Sequence, residues 1–96
     1  ANEIKSFCNA KNINYEDVIK LATMDKRLGS SHWSVPGPDG KNGFGGSCFP
    51  KDIASLIEQF QIENIDSYVI KSAWLRNTQI DRPDKDWEKL KKRAVI

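Results

Sequence analysis

Long apolar runs are absent from this chain of 96 residues, so no stretch of it approaches the length a helix needs to span a bilayer. No secretory pattern of an apolar segment ahead of a cleavage site is present either, and a cytoplasmic location is the expectation. Charge of one sign is also missing. The 15 basic and 13 acidic residues leave a net charge of +2. No long basic stripe precedes the C-terminal tail, which removes the electrostatic footprint of a nucleic-acid binder. Histidine occurs once, as His32, and cysteine twice, as Cys8 and Cys48. That set falls short of the four ligands of a structural zinc centre and of a disulfide framework. No metal is expected, and the two cysteines are expected as free thiols in different settings.

What is present is an ordinary balance for one small soluble domain, 39% hydrophobic and 29% charged. Helical periodicity organises most of it. In "EIKSFC", Ile4, Phe7 and Cys8 take the i, i+3, i+4 spacing of a helix face, with no cap before it, as though the segment continued a longer helix. "NYEDVIKLATM" predicts a second helix, with Asn14 as N-cap and Glu16 and Asp17 in the first turn, where the helix dipole favours acid. Tyr15, Val18 and Ala22 share its face, with Leu21 beside them. From Gly29 to Phe49 the pattern dissolves into "GSSHWSVPGPDGKNGFGGS", whose prolines and glycines punctuate tight turns. A loop so long in so small a domain is usually functional or disordered. Pro50 suits a first helical turn, and Ile53, Leu56, Ile57 and Phe60 continue that helix with an apolar face. A further helix is expected over 65–79, with Ile65, Val69 and Ala73 along one stripe and Ile70 and Trp74 beside it. Arg82-Pro83 breaks it, Asp84 is placed to cap a last short helix carrying Trp87 and Leu90, and "RAVI" reads as the start of a strand. The fold class is therefore all-α, a helical domain with one long Gly/Pro-rich loop.

Three features of "NGFGGSCFPKDI" converge on Cys48. Gly45 and Gly46 let the backbone approach a ligand closely. Cys48 precedes a helix start, where free N–H groups and the dipole stabilise a thiolate. Lys51 adds positive charge nearby, and Asp52 offers a carboxylate to position or activate water. A thiolate with an acid/base partner is suited to covalent catalysis at a carbonyl carbon, and the N–H groups to holding an oxyanion. A buried, inert cysteine is the competing reading; Cys8, on an apolar helix face, takes it, and at Cys48 the residues alone leave both open. "GPDGKNGFGG" lacks the Lys-Ser/Thr pair of a phosphate-binding P-loop, and "GFGG" lacks the dinucleotide fingerprint and a preceding strand. A hydrogen bond within the loop is expected of His32, and packing of Trp74 and Trp87.

The ten residues "GFGGSCFPKD" (43–52) closely resemble the active-site motif of the UDP-glucose 6-dehydrogenase family of nucleotide-sugar dehydrogenases, and "MDKRLG" (24–29), "VPGPDGKNGFGG" (35–46) and "KDWEKLKKRAVI" (85–96) extend the likeness. The resemblance implies a central helical dimerisation domain over 1–82 with its cysteine loop at 30–49, then the short helix and start of a C-terminal UDP-binding domain over 83–96. The family's N-terminal Rossmann domain, which binds most of the NAD, has no counterpart here. It further implies Cys48 as the nucleophile in a four-electron oxidation of UDP-glucose to UDP-glucuronate through a thiohemiacetal and a thioester, with Asp52 handling water and proton. Lys51 would lie toward the cofactor phosphates, and Phe44, Gly45 and Gly46 would line the sugar and nucleotide. Arg27 would reach the UDP-sugar of the partner in a homodimer, its planar fork meeting phosphate bidentately. GDP-mannose dehydrogenases, with a similar "GGSC.PKD", are the alternative, as is a purely oligomerising helical module. The stretch between Arg27 and Cys48 is longer than in shorter bacterial members, which leaves His32, Trp33 and Lys41 without assigned roles. The family's upstream lysine and asparagine are absent, so these 96 residues alone are expected not to turn over.

Overall fold

A computed structural model describes residues 1–90, and all regular structure in that range is helical. The all-α expectation holds. The "RAVI" strand falls outside the described residues. Two compact units divide the chain, the first ending at Asn42 and the second beginning at Gly43.

The first unit is built on α1 (Asn2–Lys11) and α2 (Tyr15–Ala22). Three residues separate the helices, and Asn12 makes the reversal by entering the left-handed region at φ 55. Two bonds close that turn: Ile13 N–H donates to the Cys8 carbonyl at 2.9 Å and Asn12 N–H to that of Asn9 at 3.4 Å. Asparagine tolerates this conformation better than other side-chain-bearing residues, which is why a helix can stop here without glycine. Asn14 then caps α2 as expected, its Oδ1 accepting the Asp17 N–H at 3.0 Å. The small core of this unit is Cys8, Tyr15 and Val35, with Val18 and Ile19 packed against it. Phe7, Leu21 and Ala22, assigned to apolar faces by periodicity, are instead exposed. With two short helices the unit has only one inward stripe on each, and the loop supplies the third wall through Val35. Tyr15 anchors that loop, its hydroxyl donating to the Trp33 carbonyl. Burial, then the Glu16 carboxylate and Cys8, raise the Tyr15 phenol above its ordinary ionisation range.

Regular helix stops at Ala22 and resumes at Phe49, so the irregular stretch is longer than the sequence pattern implies. It is a chain of turns. Leu28 N–H donates to the Asp25 carbonyl and Trp33 Nε1 to that of Gly29, both at 3.0 Å. Gly37 N–H reaches the Lys41 carbonyl at 2.8 Å. His32 sits exposed at φ 68, and no hydrogen bond of its side chain is found among the described residues.

In the second unit α3 (Phe49–Ile62) packs against α4 (Tyr68–Arg76). Asn64, at φ 56, ends α3 as Asn12 ends α1, with Ile65 N–H on the Phe60 carbonyl at 2.9 Å. The α4 helix starts later than periodicity suggests and changes character at its end, where Asn77–Asp81 form a π-helical turn closed by Arg82 N–H on the Asn77 carbonyl at 2.7 Å. Such five-residue closures are rare and concentrate at functional sites. The last turn, Asp86–Leu90, is 3₁₀ rather than α and starts beyond Asp84, which is therefore not its cap. Ile70 and Trp74 face inward from α4, while Ile65, Val69 and Ala73 are exposed.

Candidate active site

The glycine loop is fixed from below by the π-helical turn. Asn77 is 1% exposed, and its carboxamide meets the Phe44 backbone twice. Its Oδ1 accepts the Phe44 N–H at 2.8 Å and its Nδ2 donates to the Phe44 carbonyl at 2.9 Å. A primary amide offers donor and acceptor side by side in this way without a change of protonation state. Arg82, also buried, lies beneath the next residue and pairs with Asp86 through Nη1 at 3.2 Å.

These two side chains give the glycines a reason different from ligand approach. A Cβ on Gly43 would fall 2.2 Å from Asn77 Oδ1, and one on Gly45 would fall 1.9 Å from Arg82 Nη1. Both positions must lack a side chain for the loop to rest on its supports. Gly46 differs: nothing crowds its α-carbon, and φ of 88 is what demands glycine there.

An aromatic series continues from the loop into the helices. The Phe44 ring stands edge-on to Phe49 with centroids 4.9 Å apart, and lies 6.3 Å from Trp74, which in turn lies 5.7 Å from Trp87. Pairs at these separations add to plain burial, and both tryptophans take the packing role expected of them.

On this platform α3 begins. Cys48 is its N-cap residue and its carbonyl accepts the Asp52 N–H at 2.9 Å, the first bond of the helix. The thiol is exposed, with Ser47 Oγ 3.7 Å from Sγ. Cys8, in contrast, is buried. The two thiols differ as the sequence pattern predicts. Pro50 is buried in the first turn and supplies no N–H, so the residues Cys48, Phe49 and Lys51 carry the amides that helix geometry leaves over. Lys51 and Asp52 are exposed within that turn.

Beside the turn runs an open groove of about 460 Å³, walled by Pro50, Lys51 and Glu58 of α3, by Trp74 of α4, and by Trp87 and Glu88. Cys48 and Asp52 are not among its walls. Together these residues present an exposed thiol at a helix start, with one ammonium and one carboxylate on the same turn. Arg27 stands in the first unit, 88% exposed, in a fork on Asp25 with Nη2 to Oδ2 at 2.7 Å. Its side-chain and backbone hydrogen bonds hold the Asp25 carboxyl below the usual range. Asn77 and Arg82 were not legible as site residues. The available signal was a polar residue three positions after Trp74, on the inward side of an otherwise amphipathic helix.

Residues 1–79 match the UDP-glucose/GDP-mannose dehydrogenase family, central domain. Among individual proteins, the chain is similar to a UDP-glucose 6-dehydrogenase of Pseudomonas aeruginosa, 35% identical over 78 residues, which are 81% of this chain and 16% of the relative. A UDP-glucose 6-dehydrogenase of Rickettsia felis is 37% identical over 78 residues, again 81% and 16% of the two chains. A GDP-mannose 6-dehydrogenase of Azotobacter vinelandii is 32% identical over 78 residues, 80% of this chain and 17% of that one. The chain thus spans 16–17% of the length of these curated relatives. No solved structure matches it.

Proposed function

Since the chain belongs to the UDP-glucose/GDP-mannose dehydrogenase family, we propose that it is the thiol-bearing central part of an NAD-dependent enzyme that oxidises UDP-glucose to UDP-glucuronate. The observation that carries this reading is the contrast between the two cysteines: one sealed in a core, the other exposed at the N-cap of α3 beside Lys51 and Asp52. A packing residue has no need of that position.

In this reading the Cys48 sulfur adds to the aldehyde carbon at the sugar's C6, forming a thiohemiacetal whose oxidation leaves a thioester. Asp52 orients the water that attacks the thioester carbon and takes up its proton, and the C–S bond breaks to return Cys48. NAD supplies the hydride acceptor for both oxidations. Among the described residues there is no strand, hence no βα turn for a dinucleotide pyrophosphate. This chain's own part in holding the cofactor is therefore Lys51, whose exposed ammonium suits a phosphate. Phe44, Gly45 and Gly46 line the sugar and nucleotide, with Gly46 the most open of the three. Arg27 exchanges Asp25 for the UDP-sugar bound to a second copy, and the exposed apolar stripe of Ile65, Val69 and Ala73 joins the two copies. A cytoplasmic location follows from the substrate and cofactor. In keeping with it, no described helix is long and apolar enough to cross a membrane.

The test is an assay of the full-length protein that carries these residues, with UDP-glucose and NAD, counting two NADH per sugar, and with Cys48→Ser beside it. Abolished turnover in the variant is expected. One NADH per sugar, or a fully active Cys48→Ser protein, would contradict the scheme. The likeness to the Azotobacter protein makes GDP-mannose the alternative substrate in the same assay. A failure with both sugars would leave an oligomerising helical module.

A further inference from the structure

We infer that Asn77 is a positioning residue for the reaction, holding the Phe44–Phe49 loop, and through it Cys48, in working geometry. The inference rests on the role proposed for Cys48, but its observations are separate. Asn77 is buried, and its side chain is used up on one backbone unit, taking both the N–H and the C=O of Phe44. Its side-chain hydrogen bonds go to Phe44 and not to Cys48 or Asp52.

The path from Asn77 to the thiol is short and contiguous. Phe44 precedes Cys48 by four residues, with Gly45, seated on Arg82, and Gly46 between them. Its ring stands edge-on against Phe49, the residue directly after the cysteine. The segment bearing the thiol is therefore held at its far end by α3 and at its near end by Phe44, whose backbone is fixed by the Asn77 amide and whose ring meets Phe49 and Trp74. Gly43 carries no side chain in the place where Asn77 Oδ1 sits, so the loop and the amide are matched in shape as well as in hydrogen bonding. The amide itself is carried on the π-helical turn, whose widened step sets the Asn77 carbonyl on Arg82 N–H. The turn is steadied by Arg76 on Asp81 at 3.2 Å.

A clamp of this kind acts through the geometry of the loop that carries the thiol. Displacement of a catalytic group by about 1 Å costs on the order of 100-fold in rate. Asn77→Ala removes both bonds. Asn77→Asp keeps the shape and an acceptor for the Phe44 N–H but sets a carboxylate against the Phe44 carbonyl.

The decisive experiment is steady-state kinetics of the full-length enzyme carrying Asn77→Ala, Asn77→Asp or Cys48→Ser, each with its melting temperature. Both Asn77 variants are expected to lose roughly 100-fold in kcat. The Asn77→Asp enzyme should regain part of its kcat, relative to the unaltered enzyme, as pH falls and the introduced carboxyl takes up the proton it needs to donate to Phe44. Folded Asn77 variants with unchanged kcat would overturn the inference. So would a fall in kcat that follows thermal stability and shows no recovery at low pH, since that is the mark of a merely structural residue. Should Asn77→Ala fail to fold, the pH profile of Asn77→Asp decides alone. A fully active Cys48→Ser enzyme would instead remove the nucleophile and this inference with it, whereas an inactive one beside unaffected Asn77 variants would remove only the clamp.

Discussion

Asp25 and Arg27 form an exposed ion pair, and their geometry shows how a surface contact orients a side chain while contributing little to stability. The guanidinium is held in an open fork by Asp25 Oδ1 and Oδ2 at 2.7–3.2 Å, so Asp25 sets its orientation. Because the folded carboxyl ionises below its unfolded counterpart, the pair's contribution is present above the unfolded value and is lost as pH falls through the folded one. At this exposure that contribution is small. Carboxyl titration by NMR should find Asp25 ionising below the ordinary value of about 3.9 and returning to it in Arg27→Ala. A value unchanged by the substitution would show that the fork does not form. At the same scale, Gly43 and Gly45 acquire a meaning that sequence could not supply: their missing side chains are filled by Asn77 and Arg82, residues more than thirty positions away.

Among the elements, the short helices are defined more by their ends than by their middles. Asn14 satisfies a first-turn amide of α2, and Asn12 and Asn64 end α1 and α3 in left-handed turns. An eight-residue helix such as α2 has little intrinsic stability, so its cap carries weight. Asn14→Ala is expected to destabilise the chain by about 1 kcal/mol, measured by urea denaturation, with Asn14→Ser restoring most of it. Equal midpoints for the three proteins would dismiss the cap. The Asn14 cap and the α3 apolar face, apart from the exposed Leu56, were legible because each depends on residues within one turn; the left-handed ends at Asn12 and Asn64 were not expected. The late start of α4 and its π-helical end were not, because the register there is dictated by what Asn77 holds.

At the scale of the molecule, burial among the described residues is thin for the apolar side chains they carry. The buried hydrophobic residues among them are Cys8, Tyr15 and Val35, while Val69 is 83% and Tyr68 78% exposed. Small chains of this kind commonly rely on association to cover what they cannot bury alone. If the stripe of Ile65, Val69 and Ala73 joins two copies, then Val69→Lys should shift sedimentation toward the monomer without altering the helical circular dichroism. A monomer at all concentrations before substitution would remove that interface.

Local chemistry was decided by the sequence itself: helices where apolar spacing recurs, a cap at Asn14, an exposed thiol ahead of Pro50, and the likeness to a family carried by ten contiguous residues. Periodicity overreached at Ile4, Phe7 and Leu21, because a spacing shows which residues share a face but not whether anything covers it. Only the tertiary structure decided that Asn77 and Arg82 support the glycine loop and that Trp74 and Trp87 wall a groove. The reason is physical: a hydrogen bond between positions 44 and 77 leaves no periodic trace in the chain, and it exists only once the π-helical turn brings a buried amide against the Phe44 backbone.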